Sequence, residues 1–163
     1  MAIDRTDCEQ CVATTKAGHR CKNNTCKWSP TCYVHRDVNI KDSTIENSGL
    51  GVFAKKDLKK DTVVGKYKVG TTKMTLEQLN NKYPSNRDRT HVWSNNNRDF
   101  YDAKPTKSIA GRFNTCRAQD KRRINCNNNA KIMSSGNIKL TKNVRDNHEI
   151  FVSGYGNNYW RGK

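Results

Sequence analysis

The chain has no run of apolar residues that approaches the roughly 20 residues of a membrane-spanning helix. Its first residues, MAIDRTDCEQC, lack the basic-then-apolar layout of a secretion signal. Hydrophobic residues make up only 33% of the 163 residues, which suits one modest domain with an appendage. These absences argue against a membrane protein and predict an intracellular one, in which thiols stay reduced.

Acidic residues are also scarce, with 15 Asp and Glu against 31 Lys and Arg, so the formal net charge is +16. A chain with this charge is attracted to polyanions, and nucleic acid or chromatin is the first candidate. Basic clusters at residues 55–56, 59–60 and 121–123 are the segments expected to contact DNA. The alternative is a lysine-rich surface that only keeps the protein soluble.

Aliphatic residues are almost absent from residues 1–36, so this segment cannot build an apolar core. It holds five cysteines and two histidines, and two pairs, Cys8 with Cys11 and Cys32 with His35, are separated by two residues. That spacing places two ligands on one tight turn, and thiolate and imidazole are the usual tetrahedral ligands of zinc. The pattern predicts a zinc-stabilised module in preference to disulfides or free surface thiols.

Two sets of four zinc ligands are compatible with these cysteines. The two closely spaced pairs together give Cys8, Cys11, Cys32 and His35. The stretch CVATTKAGHRCKNNTCKWSPTCYVH, however, resembles a short Cys/His module in proteins of large DNA viruses. That resemblance implies the ligand set Cys11, Cys21, Cys32 and His35. Cys8 and Cys26 are then additional thiols, and His19 is predicted to lie exposed in a turn.

Residues 42–160 have a different composition, with short apolar stretches between Gly, Asn and Lys-rich connections. The predicted strands are GVFAKKDL, DTVVGKYKVG, THVW, DFYDA, NIKL and EIFVS. TLEQLNNKY begins at Thr75 and has Gln78 three residues later, which is typical of a capping box at the start of a short helix. The sequence predicts a mostly β domain, preceded by a linker at 37–41 and followed by a tail at 161–163.

Several motifs of this segment occur in the order found in SET-domain lysine methyltransferases. They are SGLGVFA, followed by VVGKY; FYDA; AGRFNTC; RRINC; and the closing DNHEIFVSGYGNNYW. The resemblance covers residues 43–160 and implies a SET fold of several short-stranded sheets with a knot-like C-terminal threading. The ending Tyr-Gly-x-x-Tyr-Trp is similar to that of small viral SET proteins, so no second zinc site is expected there.

The resemblance implies S-adenosylmethionine-dependent methylation of a protein lysine, with a histone in chromatin as the expected substrate. The basic clusters add an expected contact with a nucleosome or DNA, and the expected location is the host nucleus or the virion. The resemblance leaves the oligomeric state open, a homodimer included. The competing interpretation is a catalytically degenerate SET and zinc module that tethers to nucleic acid or chromatin.

The resemblance also assigns roles to individual residues. The cofactor would be bound by Gly49, Leu50, Gly51, Asn114, Thr115, Tyr155 and Trp160. Tyr155, with Tyr101 beside it, would orient the substrate amine, and Tyr67, Tyr101 and Phe151 would line the lysine channel. Phe151 and Trp160 would also cover the adenine, or close the pocket where other relatives have a zinc-binding lobe. Thr115 stands where the family has a histidine, and Gly154 is an extra residue before Tyr155.

Overall fold

The computed structural model describes residues 8–26, 31–32, 34–68, 70–104 and 108–153. The strands are β1 Cys8–Gln10, β2 Asn24–Cys26, β3 Val38–Asp42, β4 Leu50–Ala54, β5 Val63–Lys66, β6 Thr72–Met74, β7 Val92–Trp93, β8 Phe100–Asp102, β9 Ala130–Ile132, β10 Asn137–Leu140 and β11 Val152–Ser153. The helices are α1 Leu76–Lys82 and α2 Ala118–Ile124, with 3-10 turns at Asn86–Asp88 and Ile109–Arg112. Strands predominate, which confirms the mostly β prediction. In the part of the chain described, no helix is long and apolar enough to cross a bilayer.

In the described residues the strands form four small sheets. The amino-terminal module contains the pair β1–β2, and β3 pairs with β4. The largest sheet has the order β11-β9-β10-β5, and a three-stranded sheet has the order β6-β8-β7. All pairs are antiparallel except β11 with β9. The parallel pair places β11 at one edge of the four-stranded sheet, beside β9.

Strand β3 covers most of the segment for which the sequence predicts a linker. It pairs with β4 over five residues, from Val38 opposite Ala54 to Asp42 opposite Leu50. Val38 is buried, and Ile40 is partly buried against the core, so these alternating apolar residues face inward. Their signal is weak in the sequence because Asn, Lys and Asp surround them. The strand connects the cysteine-rich module, through the turn at residues 43–49, to β4, which carries Gly51.

The core lies between the β3–β4 pair, the four-stranded sheet and the 3-10 turn at Ile109–Arg112. Val52, Ile138 and Ile150 have no exposed surface. Strand β4 is buried at four of its five positions, and only Leu50 at its start is exposed. The core therefore holds β4 in place, while Leu50 at its start lies at the surface.

Helix α1 has the predicted capping box. The backbone N–H of Gln78 donates to Thr75 Oγ1 at 3.2 Å, and the N–H of Thr75 donates to Gln78 Oε1 at 2.9 Å. Two amide groups that lack partners within the helix are thereby satisfied. Leu79 is the buried residue of this helix and packs with Met74, Tyr83 and Val92.

Behind α1, a carboxylate without exposed surface connects the helix to β8. Asp102 Oδ2 accepts hydrogen bonds from Lys82 Nζ at 2.9 Å and from the Tyr83 hydroxyl at 2.8 Å. The N–H of Lys104 donates to the other oxygen at 3.0 Å. Burial alone would lower the pKa of Lys82, but the hydrogen bond and charge of Asp102 outweigh it and raise that pKa. The cluster ties the end of α1 to the strand DFYDA.

Replacing Asp102 by alanine is expected to reduce the free energy of unfolding by about 1–3 kcal/mol, because the buried Tyr83 hydroxyl loses its acceptor. Urea denaturation of both proteins measures this difference. Asp99 is a matched control, since its ion pair with Lys73 is exposed on both sides. Asp99→Ala should change the stability by less than about 1 kcal/mol. Equal losses in the two variants would contradict this interpretation of the buried cluster.

Candidate functional site

A cavity of about 740 Å³ opens beside the turn between β3 and β4. It is lined by residues 45–48, residues 90–91, Gly111, residues 113–115, Arg117, Gln119, Asp120 and Arg123. The turn between β3 and β4 forms one wall, and α2 with the residues before it forms the opposite wall. The lining includes amide side chains and charged side chains of both signs, which can fix the orientation of a polar ligand.

Two glycines, the glycine pair, lie at the start of β4: Gly49 just before the strand and Gly51 at its second position. Each position requires glycine for a different reason. Gly49 has φ of +67°, in the left-handed region that favours glycine, and its carbonyl accepts the N–H of Ser43 at 2.7 Å. Gly51 has a close neighbour instead, because a Cβ there would lie 2.2 Å from Glu149 Oε1. The Leu50 carbonyl between them accepts Asn114 Nδ2 at 3.0 Å. This turn is therefore shaped to hold Asn114 and Glu149 against the backbone.

Glu149 is a central residue of this site that no sequence prediction assigned. Its side chain is buried and accepts hydrogen bonds from Ser43 Oγ at 2.7 Å and Asn114 Nδ2 at 3.2 Å on Oε1. On Oε2 it accepts the N–H of Thr44 at 2.7 Å and the Thr44 hydroxyl at 2.5 Å. The available sequence signal is an acidic residue immediately before the apolar run IFV.

Asn114 and Thr115 follow the 3-10 turn and line the cavity. The Asn114 backbone bridges in parallel to Phe151, and the N–H of Val152 donates to the Asn114 carbonyl at 2.8 Å. The hydroxyl of Thr115 donates to the Val152 carbonyl at 2.8 Å. The structure thus brings Gly49, Leu50, Gly51, Asn114 and Thr115, all predicted as cofactor-binding residues, into one region.

The aromatic residues predicted for the lysine channel lie in two places. Tyr67 is fully buried, and its hydroxyl donates to the His91 carbonyl at 2.8 Å. The Trp93 ring lies between Tyr67 and Tyr101, with its centroid 5.7 Å from that of each tyrosine. Phe151 packs apart from these three, in a cluster with Ile45 and two cysteines. Tyr155 and Trp160 lie outside the described residues.

A disulfide that was not predicted from the sequence closes the segment that carries α2. It joins Cys116 to Cys126, ten positions apart, with their Cα atoms 5.9 Å apart. Both cysteines are buried against Ile45 and Phe151. The bond holds the two ends of the basic α2 segment together beneath the cavity wall.

His91 lies in the cavity wall, and burial lowers its pKa from the ordinary value of 6.5. The charges of Arg112 and Lys104 lower the pKa further, while Asp102 opposes them. His91 is therefore neutral at pH 7. Because the unfolded chain binds this proton more readily, the free energy of unfolding should fall as the pH drops below about 6.5. Above that pH the residue should make no pH-dependent contribution.

Urea denaturation of the protein and of a His91→Gln variant between about pH 5 and pH 8 tests this expectation. The variant should show a shallower loss of stability on the acid side, and the two curves should run parallel at the alkaline end. Identical slopes below pH 6.5 would show that His91 does not cause the loss.

The amino-terminal module brings three cysteines and a histidine together. The ligand atoms of Cys11, Cys21, Cys32 and His35 all lie within 4.8 Å of one another. The sulfur atoms of Cys21 and Cys32 are 3.9 Å apart, and His35 Nδ1 is 3.4 Å from Cys32 Sγ. Four ligands around a tetrahedral zinc, with Zn–S bonds of about 2.3 Å, would have sulfur atoms about 3.8 Å apart. The cluster can hold a metal ion of this kind.

Backbone amides surround these sulfur atoms as they would surround thiolates. The N–H of Cys32 donates to Cys11 Sγ at 3.2 Å, and the N–H of Asn23 donates to Cys21 Sγ at 3.4 Å. Burial would raise the pKa of Cys32, but the backbone N–H of His35 and the Asn23 side chain help to lower it to about 6. The chemistry of the donor set therefore fits a cation.

The competing set of ligands contains Cys8, whose side chain lies outside the described part of the structure, as does that of Cys26. The backbones of these two residues pair opposite each other in β1–β2. Among the described side chains, the four that converge are those implied by the likeness to the viral Cys/His module. His19 is exposed in the turn after Gly18, as predicted.

Comparisons with known proteins agree with this architecture. A family model described as the SET domain matches residues 49–155. Solved structures with a similar fold include a candidate histone methyltransferase of Plasmodium falciparum, at 17% identity and a TM-score of 0.50, covering 77% of this chain and 98% of that one. The methyltransferase domain of human PR domain-containing protein 2 is also similar, at 17% identity and a TM-score of 0.50, covering 76% of this chain and 80% of that one. A search of curated proteins found no match. Because the matched segment covers more than half of the chain, the chain belongs to the SET-domain family.

Proposed function

We propose that the protein is a protein-lysine N-methyltransferase that uses S-adenosylmethionine and acts on a histone lysine in chromatin. The observation that carries this proposal is the SET-domain match over residues 49–155, together with a cavity at two of its matched motifs. Ser48, which precedes the glycine pair, lines this cavity together with Asn114 and Thr115. The similar solved structures named above, one a candidate histone methyltransferase and one a methyltransferase domain, support the same activity.

The cavity fits a cofactor of this size and polarity. Its volume of about 740 Å³ lies within the usual range of about 300–1,000 Å³ for small-molecule sites. Asn114 Oδ1 would accept a hydrogen bond from the amino group of the methionine part, while the backbone of Gly49, Leu50 and Gly51 would lie alongside it. Thr115 would lie beside Asn114. Phe151 and Trp160 would cover the adenine.

When bound, S-adenosylmethionine would supply a sulfonium methyl group, whose carbon bonds to the lysine nitrogen as its bond to sulfur breaks. The amine can attack only after its proton has gone to solvent, so the site must favour the neutral form. Aromatic surroundings such as Tyr101 and Trp93 disfavour the ammonium and lower its pKa. Tyr155 would orient the amine by a hydrogen bond, and alignment itself supplies much of the rate.

The metal proposed for the amino-terminal cluster is a structural Zn²⁺, bound by Cys11, Cys21, Cys32 and His35. The spacing of the sulfur atoms and the amide N–H groups that point at them support this choice. With four protein ligands, no coordination position is left for a substrate, so the ion would stabilise the module and take no part in methyl transfer.

Cofactor binding is the first test of the enzyme proposal. Calorimetry with S-adenosylmethionine should detect one site in the whole protein, and Asn114→Ala should weaken binding by about tenfold or more. Loss of affinity in that variant, with the dispersed amide NMR spectrum of the folded domain retained, would locate the site at the cavity. An absence of binding by the unaltered protein would favour the degenerate module that only tethers to nucleic acid.

The net charge of +16 would repel a free basic histone tail, so a nucleosome is the better partner. Residues 121–123 on α2 and residues 59–60 are exposed and basic, and so is Lys56. These groups would contact DNA phosphates, with the reaction taking place on an adjoining tail in the host nucleus or in a virion.

Affinity for DNA or nucleosomes should fall steeply with salt, because each phosphate contact releases condensed counterions. For about six contacts the loss would be about a thousandfold between roughly 50 and 200 mM salt. Fluorescence anisotropy with labelled duplex DNA measures it. Replacing residues 121–123 by glutamine should reduce the slope, whereas affinity that does not change with salt would reject the contact.

A further inference from the structure

Glu149 is an unusual residue for a site that uses no metal or buried cation. A buried carboxylate is costly unless hydrogen bonds satisfy it, and this one accepts four. All four donors are neutral groups, and in the described part of the chain no Lys, Arg or His forms an ion pair with it. Its position therefore depends entirely on oriented dipoles.

The backbone around Glu149 is held in place by hydrogen bonds, as its side chain is. Glu149 forms an antiparallel bridge with Phe53 of β4, and the N–H of Ile150 donates to the Val52 carbonyl at 2.7 Å. Asn129 Nδ2 donates to the Glu149 carbonyl at 3.1 Å. The carboxylate consequently projects from a rigid part of the core towards the glycine pair.

Glu149 determines how the Asn114 amide faces the cavity. One hydrogen of the Asn114 amide group goes to the Leu50 carbonyl at 3.0 Å, and the other goes to Glu149 Oε1 at 3.2 Å. Both donors are then used within the protein. No donor from the described residues reaches Asn114 Oδ1, which leaves this acceptor for a ligand. A carboxylate can only accept hydrogen bonds, so it favours this orientation of the amide over the flipped one.

Gly51 makes the arrangement possible. A Cβ at this position would lie 2.2 Å from Glu149 Oε1 and 2.9 Å from Glu149 Cδ. The same Cβ would lie 3.4 Å from Asn114 Nδ2. The second glycine of the pair thus provides space for the carboxylate and keeps it within reach of the amide.

We propose that Glu149 is a positioning residue that holds Asn114 with its Oδ1 towards the cavity, and so selects a ligand with an ammonium group at that point. This inference rests on the proposed function, because the ammonium is that of the methionine part of the cofactor. Glu149 itself touches neither cofactor nor substrate. It acts through the orientation of one amide.

The test compares two ligands in calorimetry, S-adenosylhomocysteine, which has the ammonium group, and 5′-methylthioadenosine, which lacks the amino-acid part. Glu149→Gln keeps the shape of the side chain but presents an amide that can also donate. Its affinity for S-adenosylhomocysteine is expected to fall by about 10- to 100-fold, with little change for 5′-methylthioadenosine. The exposed Glu77, in the first turn of α1, gives the matched control Glu77→Gln, which should change neither affinity.

A double-mutant cycle separates positioning from general damage. In an Asn114→Ala background, Glu149→Gln should cause almost no further loss of affinity for S-adenosylhomocysteine, because its effect passes through Asn114. Equal losses for both ligands, or additive effects in the cycle, would overturn the positioning role while leaving the proposed function intact. If the unaltered protein binds neither ligand, the proposed function fails, and the inference about Glu149 fails with it.

Discussion

Withdrawal of zinc is expected to unfold the amino-terminal module while the SET domain keeps its core. Cys11, Cys21 and Cys32 form a small buried cluster of their own, and Ala13 is the hydrophobic residue packed against it in the part of the module that the structure describes. A cluster of that size cannot offset the conformational entropy of ordering about 30 residues. Structural zinc sites contribute about 10–16 kcal/mol to folding at neutral pH, so the metal would supply most of the stability of this segment.

Metal analysis and amide NMR on the whole protein measure this effect. The purified chain should carry one zinc, and a strong chelator should remove the dispersed signals of residues 8–36 only. Cys21→Ser should lose the metal, and Cys8→Ser is the matched control that should retain it. Zinc loss on Cys8→Ser with retention on Cys21→Ser would instead support the set built from the two closely spaced pairs.

The second large effect is expected from Gly51→Ala. The new methyl group would occupy the place of Glu149 Oε1, so the carboxylate must leave some of its four hydrogen bonds. Hydrogen bonds to a charged group contribute about 1.5–3 kcal/mol each, so the free energy of unfolding should fall by about 2–4 kcal/mol. Cofactor affinity should fall with it, because Asn114 loses one of its two anchors.

The neighbouring glycine offers a control for this substitution. A Cβ at Gly49 has no atom within 4 Å, so Gly49→Ala carries only the strain of a positive φ, about 1–2 kcal/mol. Urea denaturation should therefore rank Gly51→Ala as the more damaging change. In a Glu149→Ala background the cost of Gly51→Ala should largely disappear, since the clash is removed. A cost that is the same in both backgrounds would show that Glu149 is not the cause.

Local patterns in the sequence were sufficient to predict much of this fold. The capping box at Thr75 and Gln78 predicted the start of α1, because both partners lie within four residues. Short β-branched and aromatic runs predicted β4, β5, β8 and β10, because these patterns are also local in the sequence. The segment predicted to be a linker, residues 37–41, contains most of β3. The sequence did not predict this strand, because it is defined by its pairing with β4 more than by its own composition.

The features that sequence did not reveal depend on contacts between distant residues. Glu149 meets Ser43 and Thr44 more than 100 positions away, and its place before the apolar run IFV does not identify these partners. The pairing of Cys116 with Cys126 likewise depends on the path of α2. The roles given to Tyr155 and Trp160 remain predictions, since both lie outside the described residues.

The central claim is methyl transfer to lysine, and its most direct test uses radiolabelled S-adenosylmethionine with nucleosomes, free histones and a cell lysate. Label is expected on a lysine of a nucleosomal histone, and Tyr155→Phe should reduce the rate by about 100-fold or more. A protein that binds the cofactor yet labels no lysine in any of the three acceptors would contradict the assignment as a protein-lysine methyltransferase.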